Sequence, residues 1–300
     1  MSSATTGDHN GTVGAGAPLS RRLRLALRDT QTAVGATIVG ILAIVAIVGP
    51  FVVPHDPVAQ DLTRPLQGPS LAHPFGTDPL GRDMLARIVY GARLSLAIAF
   101  AVTLVRLVVG ILVGVVAGYV GGWVDESLMR LVDLLFAFPG IVLALVIAGI
   151  AGPSLRNVML ALAVVGWGTY ARVVRSSVLS AREREYVAAS RLAGTGHGRV
   201  VADHVLPNVL GPVIVLATLD TGKVVLATAG LSFLGLGAQP PTPEWGTMIA
   251  TGRDYLQTAS WLVNIPGLAI AATVFGFTLL GDGLRDALDP TGATEQGCDG

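Results

Sequence analysis

Three charged residues stand where charges are costly. Arg106, Asp220 and Lys223 fall inside long apolar stretches. A charge at the centre of a bilayer costs about 2.5–3.5 kcal/mol on insertion scales, so each needs a partner or a wet surface. Asp220 and Lys223 are three apart on one helical face and can satisfy each other. Arg106 is then left to reach Asp220, a neighbouring subunit, or water in a translocation path. Structural pairing between helices and a path for a substrate or an ion both fit this pattern. Asp133 is cheaper, because it can reach the interface.

A second informative stretch is polar and lies between two apolar segments. It reads Glu185-Tyr186-Val187-Ala188-Ala189-Ser190-Arg191-Leu192-Ala193-Gly194, followed by His204-Val205-Leu206-Pro207-Asn208. Tyr186, Val187 and Leu192 offer modest apolar contacts, while Ala188, Ala189 and Ser190 keep a helix slim. Gly194 can stop that helix, because glycine tolerates the left-handed conformation at a helix end. Leu206-Pro207-Asn208 then restarts a helix. A rigid, low-relief knob of this kind suits the socket of another protein and can turn its movement into tilting of two spans. An ordinary surface loop is the plainer alternative.

Other chemistries find little support. His55, His73, His197 and His204 have no ligand-like His or Cys neighbours in sequence, so no metal site is expected. There is no GxxxxGK[ST] loop, no Ser/His/Asp set and no paired-carboxylate arrangement. The chain is therefore not expected to be an enzyme or to bind a cofactor directly. No basic, aromatic-interleaved patch points to nucleic acid. The single cysteine, Cys298, forms no intramolecular disulfide.

The elements that must position these residues are membrane spans. Hydrophobic residues make up 52% and charged residues 13%, with a mean hydropathy of +0.65. A bilayer core needs about 20 consecutive apolar residues per helix. Roughly six such stretches occur, near Thr32–Val53, Leu94–Tyr119, Ser127–Ala151, Leu155–Val178, Val209–Leu236 and Leu262–Leu280. The fold class is thus all-α and polytopic.

Net charge is zero, but its sign is unevenly placed. Arg21, Arg22, Arg24 and Arg28 precede the first span, and Arg172, Arg175, Arg182, Arg184, Arg191 and Arg199 cluster between spans four and five. The positive-inside rule puts both clusters in the cytoplasm, and six spans bring both termini there. Arg64, Arg82, Arg87 and Arg93 run against that rule on the outer side. Residues 1–20, rich in Ser, Gly and Thr, read as disordered, and the first span reads as an uncleaved anchor.

Between spans one and two, Pro50, Pro54, Pro57, Pro65 and Pro69 break an extended outer segment. Asp83 is placed to cap a short helix with Arg87 one turn on; Leu85, Ile88 and Val89 would lay it on the membrane surface. Gly110, Gly114 and Gly118 form a small-xxx-small stripe for close helix approach. Pro139, Pro212 and Pro266 are expected to bend spans three, five and six. Trp245, Tyr255 and Trp261 are placed like an interfacial aromatic belt.

The polar loop carries a family resemblance. The spacing Ala188-Ala189-Ser190-x3-Gly194, then His204-Val205-Leu206-Pro207, resembles the EAA loop of binding-protein-dependent ABC importer permeases. The family's acidic first position is Ala188 here, and its third is Ser190. Further stretches resemble the C-type subunit of the dipeptide/oligopeptide/nickel branch. These are His73-Pro74-Phe75-Gly76-Thr77-Asp78-Pro79-Leu80-Gly81-Arg82-Asp83, Tyr90-Gly91-Ala92-Arg93-Leu94-Ser95-Leu96 and Leu128-Met129-Arg130 with Asp133 and Ala137-Phe138-Pro139. Leu231-Ser232-Phe233-Leu234-Gly235-Leu236-Gly237, Pro240-Pro241-Thr242-Pro243-Glu244-Trp245-Gly246 and Leu280-Gly281-Asp282-Gly283-Leu284-Arg285-Asp286 agree in order and spacing. Thr228 departs from the acid often found two positions before Gly230, and Asp220 and Lys223 are unusual for that helix.

This resemblance implies a type I ABC importer subunit with a MetI-like transmembrane fold in the bacterial inner membrane. It implies a sister permease, two ATPase domains that hold ATP and Mg and dock on the EAA loops, an extracytoplasmic solute-binding protein, and a di- or oligopeptide substrate. A nickel or metal-chelate permease is the alternative within the family; an ion-coupled secondary transporter using Arg106, Asp220 and Lys223 lies outside it. The implied division is a cytoplasmic segment (1–30), a first span with an outer segment (31–92), a permease core (93–287) with its coupling loop at about 179–207, and a cytoplasmic tail (288–300).

Overall fold

A computed structural model describes residues 29–288. The expectations for residues 1–28, with Arg21, Arg22, Arg24 and Arg28, and for the tail with Cys298 lie outside the described residues. So do the side chains of Ala188, Arg191 and His197.

Helix α1 (Thr30–Val52) starts where Asp29 accepts the Thr32 N–H at 3.1 Å, a side-chain cap for an orphan donor. Helix α2 (Met84–Val120) starts in the same way, with Asp83 Oδ2 accepting from Ala86 N at 2.8 Å. The short surface helix expected after Asp83 is therefore the first part of α2. Its apolar residues face protein: Ile88 and Val89 are buried, and Val89 packs on Gly49 of α1. Arg87 turns to Asp78 and to the Pro57 carbonyl, away from its expected place beside Asp83.

Span three is broken. Helix α3 (Gly122–Phe136) and helix α4 (Gly140–Ala151) meet at 84°. Pro139 has no N–H to continue a helix and stands as the N-cap of α4. Then come α5 (Leu155–Arg182), α6 (Glu185–Leu192), α7 (His197–Val200), a π-helical turn (Val201–Val205), α8 (Leu206–Phe233), α9 (Trp245–Gly252) and α10 (Trp261–Leu288). Among the described residues, five helices are long and apolar enough to cross a membrane, six if the bent pair counts as one span. The last span runs on past the expected Leu280, because Gly281 and Gly283 seat it against Leu219 and Thr32.

The glycine stripe sets the central contact. A Cβ at Gly114 would lie 2.6 Å from Val174 Cβ, and one at Gly118 2.8 Å from Val178 Cβ. Gly110 likewise meets Tyr170, so α2 and α5 touch nearly backbone to backbone. Tyr170, Val174 and Val178 from this contact join Val205, Val209 and Val213 in a compact cluster that reaches toward α6.

The opposite end is closed by turns. Trp261 Nε1 donates to the Thr77 carbonyl at 3.2 Å, and Trp245 Nε1 to the Ile88 carbonyl at 3.1 Å. Trp245 is only 1% exposed, so it is a core anchor and not part of an interfacial belt. Glu244 caps α9 through Gly246 N and Thr247 N. Arg82 and Arg87 are buried against Asp78, at 2.6 and 3.7 Å. Two of the arginines that ran against the charge rule are thus internally paired.

Candidate functional site

The polar loop folds as read at its glycine. Helix α6 ends at Leu192, Gly194 takes φ +81°, and Thr195 N donates to the Ser190 carbonyl at 3.2 Å. That is the longer bond of a Schellman stop. A Cβ at Gly194 would meet nothing within 4 Å, so the backbone angle alone favours glycine there. Val187 is fully buried, while Leu192 is 90% exposed and Tyr186 and Ala189 are also exposed.

This segment is tied to the foot of α8. Asn208 Nδ2 donates to Tyr186 Oη at 3.0 Å and to the His204 carbonyl at 2.6 Å. The Tyr186 and His204 rings meet edge to face at 5.7 Å. Pro207 stands in the first turn of α8 and cannot donate backward. The turn before it widens to π, with Leu206 N bonding the Val201 carbonyl. On the other side of α6, Arg182 Nη1 donates to the Gly118 and Tyr119 carbonyls at the end of α2. A cation there meets the negative end of the helix dipole.

Several arginines of the expected loop cluster belong to α5 and are paired. Arg175 clasps both oxygens of Asp125 at 2.5 and 2.6 Å. Arg172 reaches Asp133 at 2.5 Å and lies over the Phe136 ring. Helix α3 is thereby fastened to α5 by charge.

The local Asp220–Lys223 pair does not form, and of the places open to Arg106 the structure shows Asp220. Asp220 does not turn to Lys223; it faces Arg106, whose Nη1 lies 3.0 and 2.9 Å from its two oxygens. Tyr170 Oη donates to Asp220 Oδ2 at 3.0 Å. Arg106 Nε and Nη2 also donate to the Leu162 carbonyl at 2.9 and 2.6 Å. The i,i+3 spacing permitted the local pair, but α2 and α5 present better donors, and a guanidinium can satisfy a carbonyl and a carboxylate at once. One ion pair so joins α2, α5 and α8. Gly166 makes room for it, since a Cβ there would overlap the guanidinium.

Lys223 is exposed instead. It lines an open cleft of about 450 Å³ between α4 and α8, otherwise walled by apolar residues such as Ile141, Leu145 and Leu226. Thr228 is buried in α8, at 2% exposure. Sequence reasoning missed Tyr170 and Gly166. A tyrosine and a glycine in an apolar span carry no signal until the partner helix is known.

Comparison with known proteins decides the family. Residues 110–291, more than half of the chain, match the model of the binding-protein-dependent transport system inner membrane component. The chain belongs to that family. Residues 27–69 match the N-terminal TM domain of oligopeptide transport permease C. This permease is 49% identical to the dipeptide transport system permease protein DppC of Escherichia coli K12, over 88% of this chain and 90% of that one. It is 44% identical to the DppC of Alkalihalophilus pseudofirmus, over 86% and 84%. It is 45% identical to the nickel transport system permease protein NikC of Escherichia coli K12, over 86% and 93%. Among solved structures, an inward-facing MetNI methionine ABC transporter chain matches with a TM-score of 0.56 at 19% identity, covering 69% of this chain and 98% of that chain. That likeness shows the MetI-like fold. The permease is a multi-pass inner-membrane protein.

Proposed function

We propose that the permease imports di- and oligopeptides as one subunit of an ATP-driven complex. A sister permease forms the pathway with it, two ATPase domains bind ATP and Mg, and an extracytoplasmic solute-binding protein delivers the peptide. The single observation that carries the substrate class is the 49% identity to a dipeptide permease along 88% of the chain. No catalytic step is assigned to this chain.

The orientation follows from charge. Arginine density around α6 favours a cytoplasmic position for that segment, and with six crossings both termini share that side. The coupling segment is then Tyr186, Val187, Ala188, Ala189, Ser190, Leu192 and Gly194, with Val187 turned inward as its anchor and His204, Leu206 and Pro207 behind it. The Tyr186–Asn208 bond and the His204 contact link α6 to the foot of α8, which supports a rigid lever. An ATPase that moves α6 would tilt α5 and α8 together. Closure of the ATPases on ATP favours one state of the pathway and hydrolysis the other, a shift set by differential stabilisation.

Arg106 and Asp220 act as a structural lock in this reading, because each is consumed by the other and by fixed neighbours. Lys223 faces the pathway or the sister chain. Among the described residues no carboxylate forms an ion pair with Lys223, and Asp220, three residues before it, is taken by Arg106; this supports the ATP-driven reading over an ion-coupled transporter.

Nickel import is the second reading, favoured by the 45% identity to NikC. The test is mass spectrometry of the complex purified through this chain, with small molecules released from any co-purified binding protein. An ATPase, a second permease and released peptides are expected. The same partners with a nickel chelate would move the substrate to metal, and a chain without an ATPase would overturn the proposal.

A further inference from the structure

Three segments meet at the end of the bundle opposite α6. His55 comes from the chain leaving α1, His73 from the turn-rich stretch, and Asp83 from the N-cap of α2. One candidate ligand atom from each lies within 4.8 Å of the other two. His73 Nδ1 is 2.8 Å from Asp83 Oδ1, and His55 Nδ1 is 4.0 Å from Asp83 Oδ2. The two imidazole rings stand 5.1 Å apart. Sequence spacing gave no hint of this cluster, because the turns between Pro57 and Asp83 bring its members together.

The charge balance around Asp83 calls for a cation. Its side chain is 2% exposed, and a buried carboxylate is costly unless it is paired. The neighbouring guanidinia of Arg82 and Arg87 are both turned to Asp78. Among the described residues, no arginine or lysine nitrogen lies within 4.0 Å of the Asp83 carboxylate. Its support there is the Ala86 N–H and the His73 ring.

We propose that His55, His73 and Asp83 bind a divalent transition-metal ion. Two imidazoles and a carboxylate suit zinc, nickel or cobalt; magnesium and calcium prefer all-oxygen shells. Metal–ligand bonds of about 2.0–2.2 Å place cis ligand atoms roughly 3 Å apart. His73 and Asp83 already have that spacing. His55 must close by about 1 Å on Asp83, and by no more than about 2 Å on His73, to reach it, and its side chain, 43% exposed, has room to do so. A bound ion would tie the segment leaving α1 to the first turn of α2. Its placement on the extracytoplasmic side rests on the transport reading; the ion binding itself does not.

The experiment is calorimetric titration of the full-length chain in detergent, carrying a histidine-free tag and stripped with EDTA, against zinc chloride and nickel chloride. One ion per chain is expected, with no binding of magnesium. Removing a direct ligand should weaken binding by no less than the ~10–100-fold seen for outer-shell partners. His55→Ala, at the most exposed of the three positions, should show that loss with unchanged size-exclusion behaviour. His73→Gln should show it too, and cobalt should give visible absorption bands that both variants lose. Equal affinity in the parent chain and His55→Ala would place the ion elsewhere and overturn the site. So would absence of zinc, nickel and cobalt binding in the parent chain.

Discussion

Arg106 on α2 and Asp220 on α8, 114 residues apart in the chain, close an ion pair at 2.9 Å. Tyr170 and the Leu162 carbonyl of α5 complete it. The pair therefore reports on the assembly of three spans at once. Breaking a buried pair costs about 3–5 kcal/mol, because the surviving charge is left uncompensated. Asp220→Asn is expected to lower the thermal stability of the chain in detergent by that order while leaving substrate preference alone. The double variant Arg106→Met with Asp220→Leu should regain most of the loss. Unchanged stability with altered preference would show that the pair serves the pathway.

Gly166 is the space on which that pair depends. Gly166→Ala would force the guanidinium aside, and such overpacking costs about 1–3 kcal/mol. Gly149→Ala in α4 meets nothing within 4 Å and should be neutral or gain up to about 1 kcal/mol from helix propensity. Unfolding of the two variants side by side checks the difference.

Much of this architecture was legible in the sequence. Apolar runs place the spans, Pro139 marks the broken one, and the small-residue stripe from Gly110 to Gly118 marks a face of close helix approach, which the fold gives to α5. Partner choice was not legible. Asp220 has a cation one turn away in Lys223 and another in Arg106, and only the crossing of α2 and α8 selects between them. His55 and His73 look unrelated for the same reason, since irregular turns carry no periodicity from which to infer proximity. The surface helix after Asp83 was misplaced because its apolar face suits lipid and the Gly49 groove of α1 equally.

Lys223 has no anion in the ion pairs of the described residues and is exposed in an apolar cleft. Lys223→Gln should leave stability within about 0.5 kcal/mol, as for exposed positions free of special contacts. It should change the KM for peptide uptake by the reconstituted complex. A large stability loss with normal uptake would instead identify a contact to the sister chain.

Gly194 holds the stop of α6 at φ +81°. A side chain there costs about 1–2 kcal/mol in the left-handed region. Gly194→Asp is expected to lower ATP-driven uptake while membrane insertion stays intact. Uptake at the parent rate, with the ATPase still docked, would count heavily against α6 as the coupling element.

The central claim is that this chain moves peptide only when a separate ATPase works on it. The measurement that tests it most directly is uptake of a labelled dipeptide by proteoliposomes holding the complex purified through this chain, with binding protein added outside. Uptake that needs ATP on the ATPase side and stops with a hydrolysis-dead ATPase is the predicted result. Uptake driven by an ion gradient without ATP, or none for dipeptide alongside ATP-driven uptake of nickel, would contradict it.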